Sequence, residues 1–286
     1  MRQIAITGAS GFVGSHLTRL FTEHGYTVTP ISRRDIQNPT QLRDKLEHSE
    51  IVINLAGASI IRRWSESYKK VLYHSRIDTT QALVEAMKQL DKPPELLIST
   101  SAVGIYKNDQ EYDEYTTNYA DDFLSKLCQD WEATALQAEA LGVRTVILRF
   151  GIILGKDGGA LKKMLLPFKL GLGGVIGSGR QALSFIHIED LKHFYLHAIE
   201  DQTVHGIYNM SSPIPTTNYG LTKALGATLH RPTVIPLPAF VVELVFGEGA
   251  SVLTDGQSVI PKRVLESGFV FRFETIEETI ADILDT

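Results

Sequence analysis

Near its start the sequence carries Thr7-Gly8-Ala9-Ser10-Gly11-Phe12-Val13-Gly14, with glycines at GxxGxxG spacing. The chemistry available to such a run is the binding of phosphate. Gly8 permits a tight turn, Gly11 lets backbone approach a pyrophosphate, and Gly14 allows a helix to pack closely on the preceding strand. Ser10 to Val13 would then open that helix, where free N–H groups and a partial positive charge favour an anion. A glycine-rich turn without a ligand would use the same residues. Here, however, the run follows the apolar segment Ile4-Ala5-Ile6 and leads into an amphipathic segment, the context the motif requires.

A second group with chemical meaning is Ser32-Arg33-Arg34, at the end of the next apolar run. An acidic residue there would hydrogen-bond the ribose 2′-hydroxyl of NAD. A carboxylate would repel a 2′-phosphate, whereas guanidinium groups bind it bidentately. A solvated arginine pair is the plain alternative; beside the glycine loop, the pair points to NADP. Further on, Asn54-Leu55-Ala56-Gly57 ends another apolar run in small residues, along which a nucleotide can lie. Arg76, in the helical segment from Lys69 to Leu90, either reaches back to the phosphates or pairs with a surface acid.

These residues need a scaffold, and the hydrophobic pattern predicts one. Strands are expected at Gln3–Thr7, Thr27–Ile31, Ile51–Leu55, Leu96–Thr100 and Arg144–Phe150, separated by segments of helical period. In the first helix Val13, Leu17, Leu20 and Phe21 share a face, and Gly25 ends it. Strands alternating with helices imply an α/β fold: a doubly wound parallel sheet with right-handed crossovers. Only nineteen residues lie between Ile31 and Ile51, against about forty for a full strand-helix-strand-helix passage. Asp35-Ile36 is then all that is left of a third strand, and that edge of the sheet is expected to be abbreviated.

After Gly155 the texture changes, with glycines at Gly158-Gly159 and from Gly171 to Gly179, then short elements separated by prolines. The expected division is a nucleotide-binding Rossmann domain over 1–155, its sheet completed by parts of 183–210, and a smaller C-terminal substrate lobe over 156–286. Composition agrees with an ordinary globular chain of 286 residues, 43% hydrophobic and 21% charged. A formal charge of −5 gives no nucleic-acid footprint. Cys128 is the only cysteine, which excludes an internal disulfide framework and a thiolate metal cluster. The longest apolar stretch, around Leu237 to Phe246, is interrupted by Pro238 and Glu243 and too short to span a bilayer. With Met1-Arg2 running straight into the first strand, no signal peptide or membrane association is expected, and the default location is cytoplasmic.

The match to a known family runs past the glycine loop. Gly177-Ser178-Gly179-Arg180-Gln181 and Phe185-Ile186-His187-Ile188-Glu189-Asp190-Leu191 resemble the segment where extended short-chain dehydrogenase/reductases return from the substrate lobe to the sheet. Gly247-Glu248, Gly256-Gln257 and the run from Pro261 to Phe269 resemble the C-terminal domain of atypical epimerase-family proteins, the nucleoside-diphosphate-sugar epimerase-like group. The resemblance covers essentially the whole chain. It implies NADP contacts from Ser32, Arg33, Leu55, Ala56 and Arg76, and places Ile152 near the nicotinamide. It also implies a sugar nucleotide as substrate class and a homodimer formed through helices flanking the sheet.

The same resemblance calls for a Ser or Thr at the end of the fifth strand and a YxxxK pair on the next helix. There the lysine lowers the tyrosine pKa and the two side chains share a helix face. Ser99-Thr100-Ser101-Ala102-Val103 supplies the first element, with Ser101 at the catalytic hydroxyl's place. The pair is absent. Aligning the helix Asp121 to Ala140 on Ser125-Lys126 puts Asp122 at the tyrosine position; aligning it on Trp131-Glu132 puts Leu124 there and Cys128 at the lysine position. Tyr112, Tyr115 and Tyr119 have no lysine four residues on. Tyr106 is a substitute proton donor if its side chain turns into the cleft; Lys126 acting alone and a nucleophilic Cys128 are weaker ones, Cys128 fitting better as a small core residue. His193 and His197 have zinc-ligand spacing but no further histidine or thiolate near them, so no metal is expected. His187, between isoleucines, reads as a buried hydrogen-bonded residue or as a base beside the cleft.

Two functions fit. One is an NADP(H)-dependent oxidoreductase or epimerase-like enzyme acting on a small hydroxyl or carbonyl substrate, with Ser101 orienting the reacting oxygen. The other is a protein that binds and senses NADP(H) without turning it over, which would explain losing the tyrosine-lysine pair while keeping the phosphate loop.

Overall fold

A computed structural model describes residues 2–285. In chain order its regular elements are β1 Gln3–Thr7, α1 Phe12–Glu23, β2 Thr27–Ile31, α2 Arg33–Ile36, α3 Pro39–Leu46, β3 Ile51–Asn54, α4 Glu66–Lys88, β4 Leu96–Ala102, β5 Glu111–Tyr112, α5 Phe123–Leu136 and β6 Arg144–Phe150. There follow β7 Ile152–Leu154, α6 Gly159–Lys169, β8 Ala182–Leu183, β9 Phe185–His187, α7 Ile188–Glu200, β10 Gly206–Met210, β11 Thr216–Thr217, α8 Asn218–Leu229, α9 Ala239–Phe246, α10 Ser251–Thr254, β12 Ser258–Val259, α11 Lys262–Glu266 and α12 Ile276–Asp285.

Consecutive apolar residues make strands here because both faces of the sheet are covered. Ile4 and Ile6, Ile51 and Ile53, Leu96 and Ile98, and Val146 and Leu148 point to one face, against Leu17, Leu20 and Phe21 of α1 and Leu191, Phe194 and Tyr195 of α7. The alternate residues Ala5, Val52, Leu97 and Ile147 point to the other, against Leu42 and Leu46 of α3 and Leu83, Val84 and Met87 of α4. Each fully buried Leu or Phe contributes about 1.5–3 kcal/mol, so these two layers hold the sheet rigid beneath the loops at its ends. All six strands are parallel, in the order β10-β6-β4-β3-β1-β2. The winding reverses between β1 and β3, and the crevice outside their carboxyl ends is where ligands bind in such sheets. The sixth strand, β10, comes from late in the chain and closes the edge beside β6.

At the opposite edge the sheet stops at β2. Asp35-Ile36 is not the vestige of a strand but part of the single helical turn α2. Local capping decides the matter. The Ser32 side chain accepts from the Asp35 N–H at 3.3 Å, and Asp35 Oδ2 receives both Ser32 N and Ser32 Oγ at 2.6 Å. This reciprocal capping box fixes a helix start that no neighbouring strand competes for.

The helices α6, α8 and α12 build a lobe over the carboxyl end of the sheet. Its core joins Leu161 and Phe168 of α6, Leu221 and Leu225 of α8, and Ile276, Ile280 and Ile283 of α12. The short parallel pair β7–β9 links that lobe to the end of β6. Among the described residues no helix is long and apolar enough to cross a membrane.

Candidate nucleotide cleft and the cavity beside it

The turn after β1 has the conformation its glycines suggest. Gly8 sits at φ +69°, in the left-handed region, and a Cβ on it would lie 3.1 Å from the Leu55 carbonyl carbon and oxygen. Gly11 N–H closes the turn on Gly8 O at 2.9 Å, and Gly11 is the N-cap of α1. A Cβ on Gly14 would fall 2.2 Å from Gly8 O, so only glycine lets α1 approach the turn this closely. Thr7 holds the turn to the neighbouring strand: its Oγ1 donates to Asn54 Oδ1 at 2.8 Å and accepts from Leu55 N and Ala56 N at 3.0 and 3.1 Å. Asn54 Nδ2 in turn donates to Thr80 Oγ1, which also receives Trp131 Nε1.

Above this floor lies a cleft of about 350 Å³. It gathers Gly8, Gly11, Phe12, Val13, Gly14, Leu55, Gly57, Arg76 and Ser101 of the residues expected from the sequence. Ser10 and Ala56 belong to the same loops without lining it, and Ser10 is exposed on the turn. Ser32, Arg33 and Arg34 are exposed on α2, beyond the end of β2. Ile152 and Tyr106 border a different, larger cavity.

Among the described residues Arg76 is the one cation in the cleft wall. Its guanidinium lies 3.0 Å from where a Cβ on Gly57 would be, 5.2 Å over the Trp131 ring, and donates to the Leu72 and Ala58 carbonyls at 3.1 and 3.0 Å. No carboxylate pairs with it among the described residues, and burial lowers its pKa. A half-buried guanidinium balanced only by carbonyl dipoles favours an anion in front of it. At the far end Asp35 is an acid near β2, where an NAD-type acid would stand. Its carboxylate is turned inward, capping α2 and meeting Lys45 Nζ at 2.8 Å. Burial works against its charge, but the Lys45 and Ser32 hydrogen bonds outweigh this and hold it at about 2. Arg33 and Arg34 are left as the exposed charges of that turn, with no side-chain partner among the described residues.

The opposite end of the cleft differs from the sequence expectation. Leu124, Leu127, Cys128 and Trp131 of α5 face it, so the register that puts Leu124 and Cys128 at the tyrosine and lysine positions is the one that applies. Burial pushes the Cys128 thiol up to about 12, and it is a core residue, not a nucleophile. Lys126 projects to the surface and pairs with Asp130, one helical turn on, which removes it as a lone proton carrier.

Tyr106 does not turn into the cleft. It is 1% exposed, accepts from Arg149 Nη1 at 2.6 Å and donates to Asn209 Oδ1 at 2.9 Å. Burial pushes its phenol up to about 12, with Arg149 working in the opposite sense. The expected turn into the cleft is corrected accordingly: the phenol is committed to Arg149 and Asn209 within the wall of the larger cavity. Ser101 stands on the cleft wall, but its hydroxyl donates to Glu132 Oε1 at 2.6 Å, which leaves only acceptor capacity toward the cleft. Glu132 grips Arg149 bidentately, from Nε at 2.8 Å and Nη2 at 2.7 Å, while Tyr106 and Tyr119 flank the guanidinium at 5.1 Å. Burial opposes the Arg149 charge, but Glu132 outweighs it and pushes that pKa up. This network escaped the reading of the sequence. Its signal was an arginine inside the apolar strand Thr145-Val146-Ile147-Leu148-Arg149-Phe150, a charge that can be buried only with a partner.

The histidines also find local partners. His187 Nδ1 accepts from Glu189 N at 3.0 Å as the N-cap of α7, its Nε2 faces Asp282 at 3.3 Å, and its ring stacks on Phe273. His193 Nδ1 lies 2.7 Å from Glu189 O, and His197 Nε2 lies 3.2 Å from Ser267 Oγ.

Beyond Leu124 and Phe150 lies a second cavity, of about 700 Å³, under the C-terminal lobe. The two spaces share Ile60, Ala102, Leu124, Phe150 and Gly151 as a common wall.

Comparison with known proteins agrees with this architecture. The model of the NAD dependent epimerase/dehydratase family matches residues 4–211, and a domain of unknown function, DUF1731, matches residues 237–283. The chain is 39% identical to "Epimerase family protein SDR39U1" of Mus musculus and 37% identical to "Epimerase family protein SSP1921" of Staphylococcus saprophyticus, covering 99% of itself in both and 99% and 100% of those proteins. It superposes on the crystal structure of human epimerase family protein SDR39U1 (isoform 2) with NADPH at a TM-score of 0.91 and 36% identity, over 99% of each chain. The chain therefore belongs to the NAD dependent epimerase/dehydratase family, with the six-stranded parallel Rossmann sheet of that family and a DUF1731 domain at its C-terminal end.

Proposed function

We propose that this protein binds NADP(H) in the cleft and presents it to a small hydroxyl- or carbonyl-bearing molecule in the adjoining cavity, as an oxidoreductase or epimerase-like enzyme. The observation that carries the reading is the wall shared by the two spaces, which gives a cofactor cleft a second chamber at its inner end. The residues present suit the dinucleotide. Gly8, Gly11 and Gly14 let the turn and α1 close up where a Cβ would press on backbone, Arg76 offers an unpaired cation, and Arg33 and Arg34 stand beyond β2 in place of an acid. NADPH in the human relative's structure supports the same cofactor here.

When bound, the nicotinamide supplies hydride exchange. The chain's own contribution is positional. Leu124, Phe150 and Ile152 exclude water, and Ser101 accepts a hydrogen bond from a ligand O–H or N–H while its own O–H donates to Glu132. No lysine or tyrosine occupies the usual acid positions, so a nonstandard acid or water moves the reaction proton. A second reading, an NADP(H) sensor without turnover, is favoured by one specific observation: Ser101, Tyr106 and Cys128 are each tied down or held protonated.

Titration of NADPH, NADP⁺ and NADH into wild type and Arg33→Ala tests the cofactor assignment. NADPH should bind in the micromolar range or tighter and lose about tenfold in the variant, a single charge-assisted contact, while NADH is indifferent. Failure of every nicotinamide nucleotide to bind would remove both readings. Substrate-dependent NADPH oxidation separates enzyme from sensor.

A further inference from the structure

We propose that the cavity beside the cofactor cleft takes an apolar molecule without negative charge, and that nucleotide-activated sugars, the substrate class suggested by the family resemblance, are not its ligands. The proposal rests on the NADP(H) reading above, since it concerns the chamber that faces the same cleft.

The argument begins with what binds a diphosphate. Two phosphates out of water need arginine or lysine forks, or a helix N-terminus with glycines, and this chain places such groups where it expects phosphate: Gly8, Gly11 and Arg76 in the cleft. The 700 Å³ cavity has no such fork: the start of α5 at its wall is occupied by the Asp122 carboxylate, and α6 reaches it at Ala160, with Gly158 and Gly159 outside the lining. Among the described residues neither arginine nor histidine lines it, and its one lysine, Lys107, is bound to Asn118 Oδ1 at 2.9 Å. Its walls are largely apolar instead, with Trp64, Phe123, Met164, Ile176, Leu221 and Leu253 contributed by six different segments, interspersed with amides such as Gln181, Asn218 and Gln257.

The mouth of the cavity carries charge of the opposite sign. Asp109, Asp121, Asp122, Glu248 and Asp255 line it and are all exposed at its rim. Glu248 is offset by Lys69, 2.5 Å away. Asp122 caps α5 and Asp109 accepts from Tyr112, contacts that orient these carboxylates without neutralising them. Counting Lys107 and Lys69 against the five acids leaves three carboxylates in excess. A diphosphate entering here would meet like charge at the rim and find no cation inside, whereas an uncharged or cationic apolar molecule meets neither obstacle. Several of the amides and hydroxyls on its wall are committed to backbone: Gln181 donates to the Ile176 and Leu253 carbonyls, Asn218 accepts from Ile176 N–H, Ser184 donates to the Gln257 carbonyl and Ser251 to that of Glu248.

The test uses full-length protein saturated with NADPH, so that cofactor binding is measured in every sample. Three aryl ketones of one shape serve as probes: acetophenones with a para isopropyl, trimethylammonium or carboxylate group. UDP-glucose is the fourth ligand, and binding is read by calorimetry or saturation-transfer NMR. The isopropyl and trimethylammonium probes should bind at least tenfold tighter than the carboxylate, and UDP-glucose should not bind. In Asp121→Asn/Asp255→Asn, which changes two exposed rim carboxylates, the gap between cationic and anionic probes should shrink several-fold, as it should on raising the salt. Binding of UDP-glucose or of the carboxylate as tight as that of the neutral probe overturns the proposal. So does failure of all three ketones in protein that holds NADPH, a result that leaves the cofactor reading intact. Protein that does not take up NADPH at all sinks both together.

Discussion

The two ends of the cofactor cleft are built from different materials. The phosphate end is backbone: a left-handed Gly8, a Gly11 cap, a Gly14 that lets α1 close in, and one arginine held by carbonyls. The inner end is a buried charge pair, Glu132 with Arg149, that fixes Ser101 and Tyr106 from behind. The first kind of site tolerates change in every side chain except those that are absent, and the second depends on every member of a network. The contrast teaches where selection for binding leaves its mark and where a catalytic pair can disappear while the architecture around it stays closed.

Four changes would break or sharpen that contrast. The largest effect belongs to Glu132→Gln, which leaves the Arg149 charge uncompensated in a site with no exposure and should cost about 3–5 kcal/mol of stability by denaturant unfolding. Combining it with Arg149→Met should restore part of the loss; a single variant as stable as wild type would mean that the inner end does not depend on the pair. Next is Gly14→Ala. A methyl group 2.2 Å from Gly8 O must push α1 off the turn, so NADPH affinity should fall by about 100-fold in a fluorescence titration, with a smaller loss of stability. Unchanged affinity would show that the cradle is not where the phosphates sit.

Tyr106→Phe comes third. Removing a hydroxyl shared by Arg149 and Asn209 should cost about 1–2 kcal/mol in thermal unfolding and leave NADPH binding as it was. Loss of turnover with stability intact would restore the phenol as an acid. The smallest effect is the pH dependence of Asp35. Its carboxyl is held at about 2 against an ordinary 3.8, so its contribution is full above the ordinary value. As the pH falls from about 4 to about 2 the unfolded chain takes up the proton first, and the contribution is lost. Melting curves of wild type and Asp35→Asn should therefore differ by a constant amount above about pH 5 and converge on acidification.

What the sequence disclosed follows the same division. The first five sheet strands, the helix that opens at Phe12 and the glycine turn are local features, written in runs of a few residues with a fixed period. The end of β2 was misread because a capping box and a strand remnant are equally short, and Ser32 with Asp35 decides between them only through side-chain geometry. The inner end was illegible for a different reason: Ser101 meets Glu132 across 31 residues and Tyr106 meets Asn209 across 103. No window of local period contains such pairs, and only the oddity of Arg149 within an apolar strand pointed to them.

The shortened sheet has a cost that lies outside ligand binding. With no strand after it, β2 is an open edge, a template for pairing with another chain. Pro30 in this strand has no N–H to donate, and Lys45 Nζ covers the Pro30 carbonyl at 2.9 Å, bringing a charge to the rim. The lysine that restrains Asp35 thus also guards the fold against aggregation.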